Sequence, residues 1–220
     1  MSIYLSRRKM IVSLGAAGAA MLSGVAKAGL LDKLGLGKLL GNASDNALNK
    51  LGETDGFYRD TAVRIVLPGA GGKLASKALR FGDRLGVTRK LTKSLNDAAS
   101  LAALEAKPVF RSAIDQIKLK DIPGLATQKD GASQYLLRSA GPDLHLKVKP
   151  LIASALTKVG AYQQLASVNK GGNLLSSLGS SFGLTDDKLT ESVSQQAMKG
   201  IFNYIGQEEA KLRANPFGVL

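Results

Sequence analysis

The sequence predicts an all-α fold: a compact multi-helix bundle with one short extended segment near 62–67 and a long C-terminal helix near 186–214. Three observations predict it. After residue 73, apolar residues recur at steps of three and four, the spacing that lines one face of a helix turning about 100° per residue. Only Ala62-Val63-Arg64-Ile65-Val66-Leu67 is β-branched enough to be extended, and Pro68 ends it. Capping signals bracket the final stretch: Thr185 precedes Asp186 and Asp187, and Pro216 lies beyond the last apolar position.

Residues 1–28 read as a removable export signal. Arg7, Arg8 and Lys9 form a positive start, Met10 to Ala26 is uncharged and rich in Gly and Ala, and Ala26-Lys27-Ala28 has the small-x-small pattern of a cleavage point between Ala28 and Gly29. The apolar run is too mild for a spanning helix, which needs about 20 strongly apolar residues. Ser6-Arg7-Arg8-Lys9-Met10-Ile11 resembles a twin-arginine signal, although Met10 replaces its Phe and Val12 its Lys. A general secretory signal with an incidental arginine pair is the alternative. Both routes predict a periplasmic protein.

Residues 29–43 alternate leucine with glycine, and the leucines do not share a helical face. Each glycine costs about 1 kcal/mol in a helix, so this reads as a flexible arm. A single helical domain is expected over 44–216. It begins with a short helix at 44–51, capped by Ser44 and stopped by Gly52. After the extended segment, a helix over 73–85 ends at Gly86, and Thr88 caps the next, which runs to about Ala106. Pro108 suits a first turn, followed by Val109, Phe110, Ala113, Ile114 and Ile117 on one buried face. Pro123-Gly124 marks a turn before a helix over 131–140. Leu144, Val148, Leu151, Ile152, Ala155, Leu156 and Val159 form another stripe, with a kink or break predicted near Val148 by Pro150. Residues 169–184 are rich in Gly, Ser and Asn and read as a loop. The last helix would be about 43 Å long, enough to cross the domain, and 217–220 is a tail.

Composition excludes several chemistries. There is no cysteine, hence no disulfide, thiolate nucleophile, iron–sulfur cluster or cysteine zinc site. Tryptophan is absent and aromatics make up 5%, which argues against stacking on sugars or bases. The net charge is +13; removing the signal takes four of those charges and leaves +9, still basic.

Asp55-Gly56-Phe57, Ala62, Ile65, Leu67-Pro68, Phe110 and Ala113-Ile114 resemble the bacterial domain of unknown function 4197 family. The likeness continues through Ala132, Gln134-Tyr135, Pro150 and Lys158-Val159-Gly160. It closes with Ala197, Gly200-Ile201-Phe202, Ile205, Gln207-Glu208-Glu209, Arg213 and Asn215-Pro216. It spans most of 45–216. The resemblance implies a helical, exported protein; the family offers no activity or functional residues to carry over. The chain departs from it in a shorter helix before Asp55, a glycine run at 69–72 and an early stop after Pro216.

Each motif has a plain structural reading beside the functional one. Pro68-Gly69-Ala70-Gly71-Gly72-Lys73 follows an extended stretch and precedes a helix, as a phosphate-binding loop does. Leu67 and Leu74 occupy the positions of its first glycine and its hydroxyl, so a turn is the better reading. His145 is the only histidine and has only Asp143 close in sequence, too close for a helical pair. Glu208 and Glu209 point about 100° apart on a helix, so they do not pair with each other; Glu208 can reach Lys211 and Glu209 can reach Arg213. The resemblance keeps a ligand-facing role open for both. Ser176, Ser177, Ser180 and Ser181 lie in the flexible run, without a nucleophile elbow.

The strongest positive feature is a basic stripe. Lys73, Lys77, Arg80 and Arg84 are spaced four, three and four, within about 60° on one helix face. With Arg64, Arg89, Lys90 and Lys93 they set eight bases against Asp83 alone over 61–93. Lys73, Lys77, Arg80, Arg84, Arg89 and Lys90 are therefore the expected anion-binding set, facing anionic lipid, lipopolysaccharide or an acidic envelope protein, with peripheral membrane contact. A solvated, solubilising face is the plain alternative. No cofactor, metal or catalytic residue and no nucleic-acid partner are expected. A carrier of a small hydrophobe, with space opened near Pro150, Ala153, Ala155 and Gly160, is the second expectation, and a hydrolytic enzyme the least supported.

Overall fold

The computed structural model describes residues 35–68, 86–116, 128–170 and 185–215. The expected signal segment, the expected 73–85 helix, the Gly69–Gly72 run, Ile117, the expected turn at Pro123-Gly124, the expected loop from 171 onward and residues 217–220 lie outside them. Among the described residues there are five helices and no strand: α1 (Leu36–Gly52), α2 (Val87–Asp115), α3 (Gly131–Lys158), α4 (Ala161–Lys170) and α5 (Asp186–Ala214). Helices α2 and α5 each pack against both α1 and α3, while the α1–α3 and α2–α5 pairs barely touch. The four long helices thus form a ring around one core. Helix α4 lies on α2 and α3.

Helix α5 follows its sequence signals closely. The Thr185 hydroxyl accepts from the Lys188 N–H at 3.3 Å, Asp186 and Asp187 occupy the first turn, and Lys211 and Arg213 the last. Val193, Ala197, Met198, Ile201, Phe202 and Ile205 are buried. The Phe202 ring meets Phe110 of α2 at 5.7 Å between centroids, tilted by 55°.

Helix α1 begins at Leu36, eight residues before the expected start, so the second half of the supposed flexible arm is helical and Ser44 is buried inside it rather than capping it. The glycines misled because one of them has a packing role. A Cβ at Gly41 would collide with the Arg111 guanidinium, which lies across α1 to bond Asp45 at 2.6 Å. Leu39, Leu40 and Ala43 beside it are buried.

Two expected helix breaks are absent. Helix α2 runs through Pro108, and α3 runs through Pro142 and Pro150. Nor does Thr88 cap α2, whose N-cap is Gly86. A proline inside a helix removes the N–H that would bond the carbonyl four residues back. Here the prolines are exposed, and so are Leu104, Arg138 and Leu146, whose carbonyls lose that donor. Water can replace the bond there, so the helices continue. The apolar stripe of α3 holds: Leu144, Val148, Ile152, Ala155 and Leu156 are buried. Gly160, at φ 72°, turns the chain from α3 into α4, a helix that the sequence reading lacks and that extends to Lys170, into the expected loop.

The extended segment near 62–67 is irregular chain, not a strand. Its backbone is satisfied by side chains from two helices. The Asn96 amide accepts from the Ile65 N–H and donates to the Ile65 carbonyl, both at 2.9 Å. The Gln196 amide does the same for Val66, both at 3.0 Å. Two amides take the place of a neighbouring strand.

Candidate functional site

The basic stripe divides. Lys73, Lys77, Arg80 and Arg84 lie outside the described residues. Arg89 and Lys90 occupy the first turn of α2, are exposed, and form no ion pair among the described residues. That turn contains no acid, and Gly86 ahead of it offers no capping side chain. Arg64 and Lys93, by contrast, are engaged within the fold. Arg64 donates to the Tyr58 carbonyl and stacks 4.8 Å from the Tyr58 ring. Lys93 bridges Asp55 at 2.8 Å and Asp97 at 2.5 Å, and its ammonium is held above its usual pKa first by Asp55 and then by Asp97. The eight-to-one imbalance is therefore smaller in space than in sequence.

His145 finds a partner that sequence proximity did not indicate. Its Nε2 is 3.6 Å from Glu191 of α5, 46 positions along the chain, while Lys149 holds the other oxygen of Glu191 at 2.6 Å. Lys149, then Gln195, keep the Glu191 carboxyl below its usual pKa. Among the described residues, no three His, Asp or Glu side chains are placed to hold a metal ion.

Glu208 and Glu209 face different neighbours, as the helix geometry requires. Glu208 accepts from Lys50 of α1 at 2.6 Å and Lys211 at 2.8 Å. Burial would raise its carboxyl, but hydrogen bonds from Lys211 and Lys50 outweigh this and hold it below the usual value. One turn earlier, the Tyr204 hydroxyl donates to Asp60 at 2.7 Å. Burial, and after it the Asp60 hydrogen bond, pushes the Tyr204 hydroxyl up to about 12, while that bond, followed by the Ala62 N–H, lowers Asp60.

Glu209 is fully buried. Its two oxygens accept the N–H groups of Ala132 at 3.0 Å and Ser133 at 2.7 Å, and Arg213 adds Nε at 2.8 Å and Nη2 at 2.6 Å. A carboxylate from α5 thus caps the start of α3, satisfying two donors that the helix cannot satisfy itself. The expected pairs, Glu208 with Lys211 and Glu209 with Arg213, both form. Both carboxylates are engaged with protein groups.

Beside this lock lies a cleft of about 290 Å³. One wall is the start of α3 and the residues before it: Lys129, Asp130, Ser133, Gln134 and Leu137. The other is α5, through Phe202, Asn203, Gly206, Gln207 and Ala210. Asp130 stands at the N-cap of α3, yet its side chain caps nothing, because Glu209 already holds the N–H groups there. Sequence reasoning missed this cleft. The only available signals were Asp130 immediately before the first helical glycine and the polar pair Asn203 and Gln207, four apart on an otherwise buried helix. The cleft is also not the space expected for a hydrophobe, since Ala155 is packed in the core and Pro150 is exposed near the other end of α3.

Among the described residues, no helix is long and apolar enough to cross a membrane. Residues 32–219 match the family described as protein of unknown function (DUF4197), and the chain belongs to that family. No curated protein and no solved structure matches the chain.

Proposed function

We propose that this member of the domain of unknown function 4197 family is an exported helical protein that docks on phosphate-bearing lipid of the bacterial envelope through its basic 73–93 segment. The observation that carries the reading is the charge imbalance of that segment. With Arg64 and Lys93 engaged inside the fold, the docking set is Lys73, Lys77, Arg80, Arg84, Arg89 and Lys90. The exposure of Arg89 and Lys90 supports it, because the start of a helix adds positive potential to theirs. Each cation near an anionic membrane contributes about 1 kcal/mol, so six acting together hold a protein that two would not. The export half of the reading rests on the charge, apolar run and small-x-small pattern of residues 1–28.

Sedimentation tests the docking. At low salt the protein is expected to pellet with phosphatidylglycerol-containing vesicles and to stay in solution with phosphatidylcholine alone. Lys77→Glu with Arg80→Glu should abolish pelleting, and Arg89→Glu with Lys90→Glu should weaken it. A wild type that never pellets, or a reversed variant that pellets equally, overturns docking. Cell fractionation tests export: an uncleaved chain in the cytosol would end that half, and retention by Arg7→Lys with Arg8→Lys would identify the twin-arginine route.

A further inference from the structure

We propose that the cleft between the start of α3 and the C-terminal half of α5 binds a small peptide or amino-acid derivative with a free amino group, its ammonium held by Asp130. The first argument is the unused carboxylate. Asp130 has the residue type and position of a helix cap, but Glu209 takes the Ala132 and Ser133 N–H groups instead. The Asp130 carbonyl accepts from the Ser133 hydroxyl and the Gln134 N–H, but its carboxylate makes no hydrogen bond or ion pair among the described residues, and its Oδ2 faces the space above Gly206. The positive end of α3 is already neutralised by Glu209, so the Asp130 charge remains available to a cation.

The opposite wall supplies the second argument. The Gln207 side-chain nitrogen donates to the Asn203 side-chain oxygen at 2.5 Å. This leaves the Asn203 amide nitrogen as a donor and the Gln207 amide oxygen as an acceptor. One donor beside one acceptor is the complement of a peptide group. Phe202 and the exposed Leu137 give the same cleft an apolar surface for a short aliphatic side chain.

Size and rigidity complete the case. At about 290 Å³ the cleft falls at the lower edge of the roughly 300–1,000 Å³ typical of ligand pockets, so the ligand is small. The Glu209–Arg213 lock fixes the start of α3 against α5, which sets the distance between the walls before any ligand arrives. At Gly206 an added Cβ would approach the Ser133 hydroxyl to 3.4 Å and the Asp130 Cβ to 3.5 Å, so a branched side chain there would fill the floor.

Titration calorimetry of the full chain with the dipeptide alanyl-leucine, and with its N-acetylated form, tests the site. The free dipeptide is expected to bind saturably. Acetylation, which removes the ammonium, and Asp130→Asn, which keeps its shape, should each weaken binding by about tenfold or more. Gly206→Val should abolish it, and thermal melts of both variants establish that they fold. The acetylated ligand needs no variant, so misfolding cannot mask the result. Absence of saturable heat from the dipeptide, or equal binding of both forms, overturns the proposal. Vesicle sedimentation of Asp130→Asn should match wild type, which separates this site from lipid docking.

Discussion

Glu208 and Glu209 are neighbours on one helix, carry the same charge and accept hydrogen bonds from cations three or four residues ahead, yet their surroundings differ completely. Glu208 answers two lysines whose side chains are 47% and 61% exposed. Glu209 and Arg213 are 0% and 7% exposed, and Glu209 also closes the start of α3. Asn96 and Gln196 form a second matched pair: each clamps one residue of the same irregular segment through both backbone groups, the first in the core and the second near solvent. In both pairs the chemistry is nearly constant and the exposure of the bonded partners changes, for Glu208 is itself buried and only its lysines reach solvent. The difference teaches that a polar contact in this bundle matters through what its removal leaves without water.

The largest effect should therefore come from Glu209→Ala. It takes a buried carboxylate away from the Arg213 guanidinium and from two helix-end N–H groups in the interior, for which about 3–5 kcal/mol is the expected loss. Denaturant unfolding measures it. Adding Arg213→Met should recover part of the loss, because a buried charge goes with it. A single variant as stable as wild type would break the comparison at its strongest point.

Asn96→Ala comes next. The Ile65 N–H and carbonyl would lose their partner in a buried setting, at about 1–3 kcal/mol for each unsatisfied group. Gln196→Ala removes the same two bonds from Val66, which is 49% exposed, so water replaces them and the cost should stay below about 1 kcal/mol. Equal losses at Asn96 and Gln196 would show that burial does not set the difference.

These clamps also mark where sequence reading stopped. Helix α5 was legible from its ends and its period, because Thr185, Asp186 and the apolar positions act within a few residues of one another. The same holds for the stripe from Leu144 to Leu156. Gly41 misled because its reason for being glycine is Arg111, 70 positions away. Pro108 and Pro150 misled because their cost depends on which side of the helix meets water, and periodicity gives that only after the helix is assumed. In the candidate site, the short-range pairs Glu208–Lys211 and Glu209–Arg213 could be read from spacing. The cap on α3, 77 positions distant, could not. With it hidden, nothing in the sequence tied Asp130 to the Asn203 and Gln207 pair across the cleft.

Glu208→Gln is the smallest expected change and the one that fixes the other end of the comparison. Near neutral pH the loss should not exceed about 1 kcal/mol, the usual worth of a carboxylate whose cationic partners stand in solvent. The sharper signal lies in its pH dependence. The Glu208 carboxyl is held below its ordinary 4.5 in the folded chain, so its contribution is present above that value and fades as pH falls through the folded pKa. Asp55, Asp60 and Glu191 are lowered as well and lose stability over the same acid range. The variant should therefore flatten the acid limb of the stability curve without abolishing it, because it lowers the neutral plateau by that loss and converges with wild type at low pH. Tyr204 provides an alkaline counterpart on the same face: its hydroxyl is raised from 10.0 to about 12, so its contribution is intact below pH 10 and lost as pH rises toward 12. Chemical denaturation of Glu208→Gln across both limbs should change the acid one more than the alkaline one, because the Glu208 charge is the smallest of the causes that raise Tyr204. If the alkaline limb moved most, Glu208 would be acting chiefly through Lys211, whose ammonium it raises, and the pair would have to be treated as one coupled unit rather than as a carboxylate with two exposed partners.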